Sequence, residues 1–170
     1  EDLTQDIFLK TWQHIVDKKE LQSFQAFIFR VARNSIIDYY KEKKSGQISI
    51  VSSVAGYRGL PAAGAYCASK SALSSFAESL YFDMKRFNVR VSLINPGFIK
   101  TPMTDQNDFK MPMIKSPEFA ADQIYIGLTK NKSFEIHFPK PLTYMMKFIK
   151  ILPNWIYLKF ISWSMKFMKD

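Results

Sequence analysis

Apolar and polar positions switch between helical and strand period six times along this chain. Near the N-terminus Leu3, Ile7, Phe8, Trp12 and Ile15 recur at helical spacing, and so do Phe24, Phe27, Ile28 and Val31 after Ser23, a good N-cap. Two amphipathic helices packed as a hairpin follow from that pattern. The run Gln47–Ser52 then reads as a strand, a helix follows over about Ala65–Phe87, and Val89–Asn95 reads as a second strand. Such a β-α-β unit makes parallel strands with a right-handed crossover. Ser116 and Pro117 mark the cap and first position of another helix, running to about Lys130, and Ser133–Phe138 is a short third strand. The pattern predicts an α/β chain with a parallel sheet of about three strands, preceded by an α-helical hairpin. The sheet edge at Gln47 is either bare or covered by the first two helices; an uncovered apolar edge favours association.

In the tail, Pro153 interrupts a helical pattern and starts a new helix. On a projection from Asn154, Lys159, Lys166 and Lys169 fall on one side. Ile156, Phe160, Trp163 and Phe167 fall on the other. Lysines interrupt every long apolar run, which argues against a spanning helix. Two readings stay open for residues 142–170: docking on the protein itself or a second subunit as a homo-oligomer, or peripheral contact with a membrane interface.

Composition narrows the picture only in places. The 170 residues carry a formal charge of +9, concentrated in Lys130–Asp170, where eight lysines face two acids. The single cysteine, Cys67, excludes an intrachain disulfide and fits a reducing, cytoplasmic compartment. Its default reading is a small packed side chain. His14 and His137 lie in unrelated segments, so no metal site is expected. No signal peptide is visible, and the charged, helix-patterned first residues read as a start inside a domain.

The chemistry concentrates at Ser53, Tyr66 and Lys70. A tyrosine hydroxyl ordinarily ionises near pH ~10, too high for proton exchange at neutrality. A neighbouring ammonium favours the phenolate, and on a helix Lys70 lies one turn from Tyr66 on the same face. Ser53 ends the first predicted strand, where α/β sheets bind ligands, and its hydroxyl can donate to a substrate carbonyl. Taken alone, a Tyr and a Lys at this spacing most often form a solvated pair; the surrounding sequence changes that weighting.

Gly46–Gly56, Tyr66–Leu73 and Val89–Met103 together resemble the short-chain dehydrogenase/reductases, in the order and spacing of that family. The resemblance runs from about Ser45 to at least Pro139. It implies a Rossmann-like sheet and hydride transfer between NAD or NADP and a small-molecule alcohol or carbonyl. By the same resemblance Tyr66 is the general acid/base, Lys70 promotes its ionisation and binds the nicotinamide ribose, and Ser53 polarises the carbonyl. Pro96 and Gly97 shape the turn beside the nicotinamide, Ile99 and Thr101 contact its carboxamide, and the loop Phe98–Lys115 is a mobile lid over the substrate.

The family's glycine-rich phosphate turn has no counterpart here. Of six glycines, all but Gly127 lie between Gly46 and Gly97, and no Gly-x-Gly-x-x-Gly occurs. The resemblance therefore implies impaired activity, with NAD or NADP lacking its usual anchor. Residues 1–44 instead resemble region 2 of extracytoplasmic-function sigma factors, in Glu1–Trp12 and Phe24–Lys41. That resemblance implies RNA polymerase contact through Gln5, Asp6 and Phe8, and nucleic-acid contact through Arg30, Arg33, Asn34 and Lys41–Lys44. The expected organisation is a sigma-like hairpin over 1–44, a catalytic half over 45–139 and a basic aromatic tail over 140–170, with a chimeric join near Lys44/Ser45.

Overall fold

The computed structural model describes residues 7, 9–13, 24–102, 104 and 111–167. Most of the first expected helix, the Ser23 cap and the residues assigned to polymerase contact lie outside that set. The described elements are α1 (Phe24–Lys43), β1 (Gly46–Val51), a 3-10 turn (Val54–Gly56), α2 (Gly64–Lys85) and β2 (Val89–Pro96). They continue with α3 (Pro117–Ile126), β3 (Glu135–Phe138), α4 (Lys140–Ile151) and α5 (Asn154–Phe167). The strands form an open parallel sheet in the order β1-β2-β3. Leu93 stands opposite Glu135, Ile94 opposite Ile136 and Asn95 opposite His137.

The chain divides into two compact units, Glu1–Ile50 with Ser75–Ser92 and Val51–Ser74 with Leu93–Asp170. In the first unit Ile37, Ala77, Leu80, Met84, Val89 and Val91 are buried. The Phe29 and Phe76 rings meet tilted at 48° with centroids 5.3 Å apart. Arg33, expected at DNA under the sigma resemblance, instead donates two hydrogen bonds to Asp83, at 2.6 and 2.8 Å. Tyr39 and Tyr40 meet edge to face with ring centroids 4.9 Å apart. At the entry to β1, Gly46 has φ +148° and lies against the Tyr40 ring, a backbone state and a close approach that only glycine tolerates. β1 is an edge of the described sheet: Ile48 and Ile50 are half-buried while Ser49 and Val51 face outward.

The second unit has two apolar clusters. Val54, Leu142, Met146, Ile149 and Tyr157 form one; Ile94, Ile136 and Phe138 form the other, flanked by Phe119 and Ile124. Ser116 caps α3 as expected, accepting from Phe119 N at 3.2 Å with Pro117 in the first turn. The helix ends four residues short of Lys130 as an α-helix and opens into a π-turn, Gly127–Asn131. Gly127, at the start of this turn, lies directly on β3: a Cβ there would sit 2.6–2.7 Å from Ile136. β3 itself starts at Glu135, two residues later than the pattern gave.

The tail departs further from its projection. α5 buries Tyr157 and half-buries Ile161, whereas Trp155, Leu158, Phe160 and Trp163 are exposed. Of the face projected as apolar, Ile156 is half-buried while Phe160 and Trp163 are exposed. Nine of the fourteen positions of α5 are apolar and spread widely around the helix, so hydrophobic period could not select a face; the fit of Tyr157 and Ile161 against the α4 cluster does.

Candidate active site

Ser53, Tyr66, Lys70, Pro96, Gly97, Ile99 and Thr101 all belong to the second unit. Ser53 follows β1 in extended backbone and caps the 3-10 turn, its Oγ accepting from Ala55 N at 3.2 Å. The same hydroxyl donates to Pro96 O at 3.4 Å, a long and weak bond. A better-placed acceptor would outcompete it, so the buried Ser53 hydroxyl remains available as a donor.

Tyr66 lies in the first turn of α2 with 45% of its surface exposed. Lys70, one turn on, holds its ammonium 5.7 Å from the Tyr66 ring centroid. Among the described residues that ammonium has one acceptor, Val51 O at 3.4 Å. Helical spacing thus brings Lys70 beside the phenol, and the end of β1 brings Ser53 and Val51 into the same unit. No hydrogen bond joins the Ser53, Tyr66 and Lys70 side chains among the described residues.

What fixes Lys70 is a set of residues whose positioning role the sequence did not announce. The Ser52 and Ser74 hydroxyls both lie on the Lys70 carbonyl, at 2.8 and 3.1 Å. Gly56 permits that approach, since a Cβ there would meet Lys70 O at 2.9 Å, and Ser71 Oγ donates to Gly56 O at 3.0 Å. Serines one turn apart on a helix (Ser71 and Ser74) facing a serine at a strand end were the available signal. Cys67 is buried in the same helix as a packing residue, its Sγ 3.3 Å from Leu60 N.

Gly97 donates its N–H to Phe138 O at 2.7 Å and sits against Leu142 and Pro139 with no room for a side chain. The Pro96-Gly97 turn is thus anchored to the end of β3. Beyond it Ile99 bridges to Lys115, with Lys100 N on Lys115 O at 2.8 Å and Lys115 N on Phe98 O at 2.9 Å, closing the base of the expected lid. The lid's residues 103 and 105–110 lie outside the described set. Thr104 Oγ1 donates to Ile99 O and accepts from Thr101 N, both at 2.8 Å, so the backbones of the two residues expected at a carboxamide are tied to each other through Thr104.

Behind the turn lies a polar network absent from the sequence reading. Glu135 accepts from Lys147 Nζ at 2.5 Å, from Asn95 Nδ2 at 2.8 Å and from the Tyr57 hydroxyl. Burial alone would raise the Glu135 carboxyl, but the hydrogen bonds from Lys147, Tyr57 and Asn95 overcome it and hold the group below its ordinary range. Burial, then its bond to Glu135, pushes the Tyr57 phenol well up, so it stays protonated as a donor. Next to it, His137 Nδ1 lies 2.7 Å from Thr143 Oγ1 and Nε2 lies 3.3 Å from Lys140 Nζ. Burial first, then the charges of Lys147 and Lys140, lower its affinity for a proton. With Lys140 donating to Nε2, the neutral ring carries its hydrogen on Nδ1.

The comparisons bear on this geometry. A family profile described as short chain dehydrogenase matches residues 23–111, more than half of the chain. An uncharacterized oxidoreductase of Myxococcus xanthus is 38% identical over 121 residues, covering 71% of this chain and 47% of its own length. The fold matches a short-chain dehydrogenase from Streptomyces avermitilis with a TM-score of 0.58 at 18% identity, over 83% of this chain and 58% of that one. A 4-hydroxyisoleucine dehydrogenase complexed with NADH matches with a TM-score of 0.52 at 22% identity, over 66% of this chain and 53% of the other. The chain spans about half the length of the curated relatives it matches. The profile match begins at residue 23 and takes in α1, so the join expected at Lys44/Ser45 falls inside a single family match. None of these comparisons supports the sigma-like origin of that stretch. From Phe24 through the Pro96-Gly97 turn, then, one matched stretch spans the helix once set apart, Ser53 beyond β1 and Tyr66 on α2, and the chain belongs to the short-chain dehydrogenase/reductase family.

Proposed function

We propose that this chain supplies the proton-transfer and carbonyl-polarising groups of an NAD(P)-dependent oxidoreductase acting on a small-molecule alcohol or carbonyl. The observation that carries the reading is the Lys70 ammonium beside the exposed Tyr66 ring, in the unit that also holds the weakly engaged Ser53 hydroxyl. In the reductive direction the Ser53 hydroxyl leaves Pro96 O and donates to the carbonyl oxygen, localising charge there. Tyr66 delivers its hydroxyl proton to that oxygen, and the Lys70 ammonium stabilises the phenolate left behind. A nicotinamide cofactor would supply the hydride to the carbonyl carbon. Tyr66 and Lys70 fit its ribose hydroxyls as donors and acceptors, and Pro96, Gly97, Ile99 and Thr101 would border its ring. The donor set suits that end of the cofactor; the pyrophosphate has no glycine turn in this sequence to receive it. The NADH bound to the 4-hydroxyisoleucine dehydrogenase supports the choice of cofactor class.

The test is titration of NADH and NADPH followed by cofactor fluorescence, then turnover with a panel of alcohols. Saturable binding is expected, with Tyr66→Phe removing turnover but leaving affinity largely intact and Lys70→Ala weakening affinity. No saturable binding up to about millimolar concentration, weaker than any ordinary cofactor site, removes the proposal for this chain.

A further inference from the structure

Between Glu135 and Asp170 the chain has six lysines and no acidic residue. α4 turns Leu142, Met146 and Ile149 inward and leaves Tyr144, Phe148 and Ile151 outward, Ile151 with 75% of its surface exposed. α5 likewise packs Tyr157 and leaves Trp155 and Leu158 outward, Trp155 65% exposed. The cations sit among these groups. Lys150 and Lys159 are exposed, and the Lys159 ammonium lies 5.7 Å from the Trp155 ring centroid. Arg58 binds Lys150 O and Asn154 Oδ1, adding a further positive charge at the α4–α5 junction. Lys147 is neutralised by Glu135; the others have no acidic partner on either helix.

We infer that the outward faces of α4 and α5 dock on an anionic lipid surface. Exposed aromatic and aliphatic groups beside lysines are what a helix lying in a membrane interface presents, with the rings at the headgroup boundary and the ammonium groups on phosphates. Charge decides against a second copy as the occupant. An isologous contact would set this cationic face against itself, with no carboxylate on either helix to compensate. Insertion across the bilayer is not the mode, because among the described residues no helix is long and apolar enough to span one.

The experiment is flotation of the full chain with phosphatidylcholine vesicles, with and without phosphatidylglycerol. Flotation is expected only with the anionic vesicles, and it falls as salt rises. Lys150→Gln with Lys159→Gln lowers partitioning about 25-fold, roughly fivefold for each lysine, while Leu158→Asp abolishes it with an unchanged circular dichroism spectrum. Equal flotation with neutral vesicles, or none from folded protein, overturns the inference. Self-association that Ile151→Asp dissolves, without flotation, overturns it in favour of a second copy.

Discussion

Replacing Gly97 by alanine should destabilise the second unit through space alone. Its backbone lies outside the left-handed region, so no conformational penalty applies. The new methyl would sit 2.7 Å from Leu142 Cδ2, 3.0 Å from Pro139 Cδ and 3.3 Å from Phe138 O. None of these neighbours yields easily. Leu142 is 2% exposed and wedged among Val54, Met146 and Ile149, Pro139 is a ring, and Phe138 O already accepts the Gly97 N–H. Overpacking of this kind costs about 1–3 kcal/mol, and stiffening of the unfolded chain offsets about 0.4–1 kcal/mol of it. Taking the middle of each range, the net loss is about 1.3 kcal/mol, a drop in Tm of roughly 3–5 °C at this chain length. Thermal melts followed by circular dichroism measure it. Gly64→Ala is the matched control: it opens α2 and its Cβ would meet nothing within 4 Å, so it should raise stability by roughly 0.4–1 kcal/mol. Adding Leu142→Ala to Gly97→Ala should cost less than the sum of the two, by about 0.5 kcal/mol or more. A Gly97→Ala protein melting at or above wild type, or simple additivity in the double variant, would refute the reasoning.

Lys147→Met removes the ammonium from Glu135 but leaves Tyr57 and Asn95 as donors, and should cost about 1–3 kcal/mol near neutral pH. Because the Glu135 carboxyl is held below its usual value, its stabilisation is complete above about pH 4.5 and is lost as pH falls through the folded value. Urea midpoints at about pH 7 and about pH 3 should therefore converge between variant and wild type; an equal gap at both rejects the assignment. His137 acts higher on the scale. Its folded affinity for a proton is depressed, so stability falls as pH drops below about 6.5, and His137→Leu should flatten that slope in the same urea series. Ser52→Ala should cost about 0.5–1.5 kcal/mol and speed amide exchange in the turn of α2 around Lys70, with Ser74 keeping part of the clamp; unchanged exchange there would count against it.

Much of the fold was legible because the signals were local. Ser116 with Pro117, and the alternation through Gln47–Ser52, specify a cap and a strand from neighbours alone. The short run before Phe138 was legible as a strand but not in its start. The seating of Gly127 on Ile136 was hidden because it is a contact across the fold. The α1 segment was assigned elsewhere for a physical reason: one apolar stripe beside Arg and Lys is what any helix with one packed face presents. Arg33 reads as a solvated or nucleic-acid-facing cation until Asp83, fifty residues on, is seen to hold it. The spacing of Tyr66 and Lys70 was readable from the helical period. The Glu135 network was not, since Tyr57, Asn95, Glu135 and Lys147 share no period and converge only through the pairing of β2 with β3.

The paired serines on the Lys70 carbonyl separate two motions that lysines usually combine. The main chain of residue 70 is fastened to the strand end, while among the described residues its amine has one hydrogen-bond acceptor, Val51 O at 3.4 Å, and lies near the Tyr66 ring. A ligand arriving at that amine needs no loop closure to recruit it. Four methylenes of a half-buried side chain change rotamer while the backbone stays fixed, and the cost is side-chain entropy of at most about 2 kcal/mol. Arrival and departure at this lysine are thereby relieved of the slow steps that a moving backbone would impose.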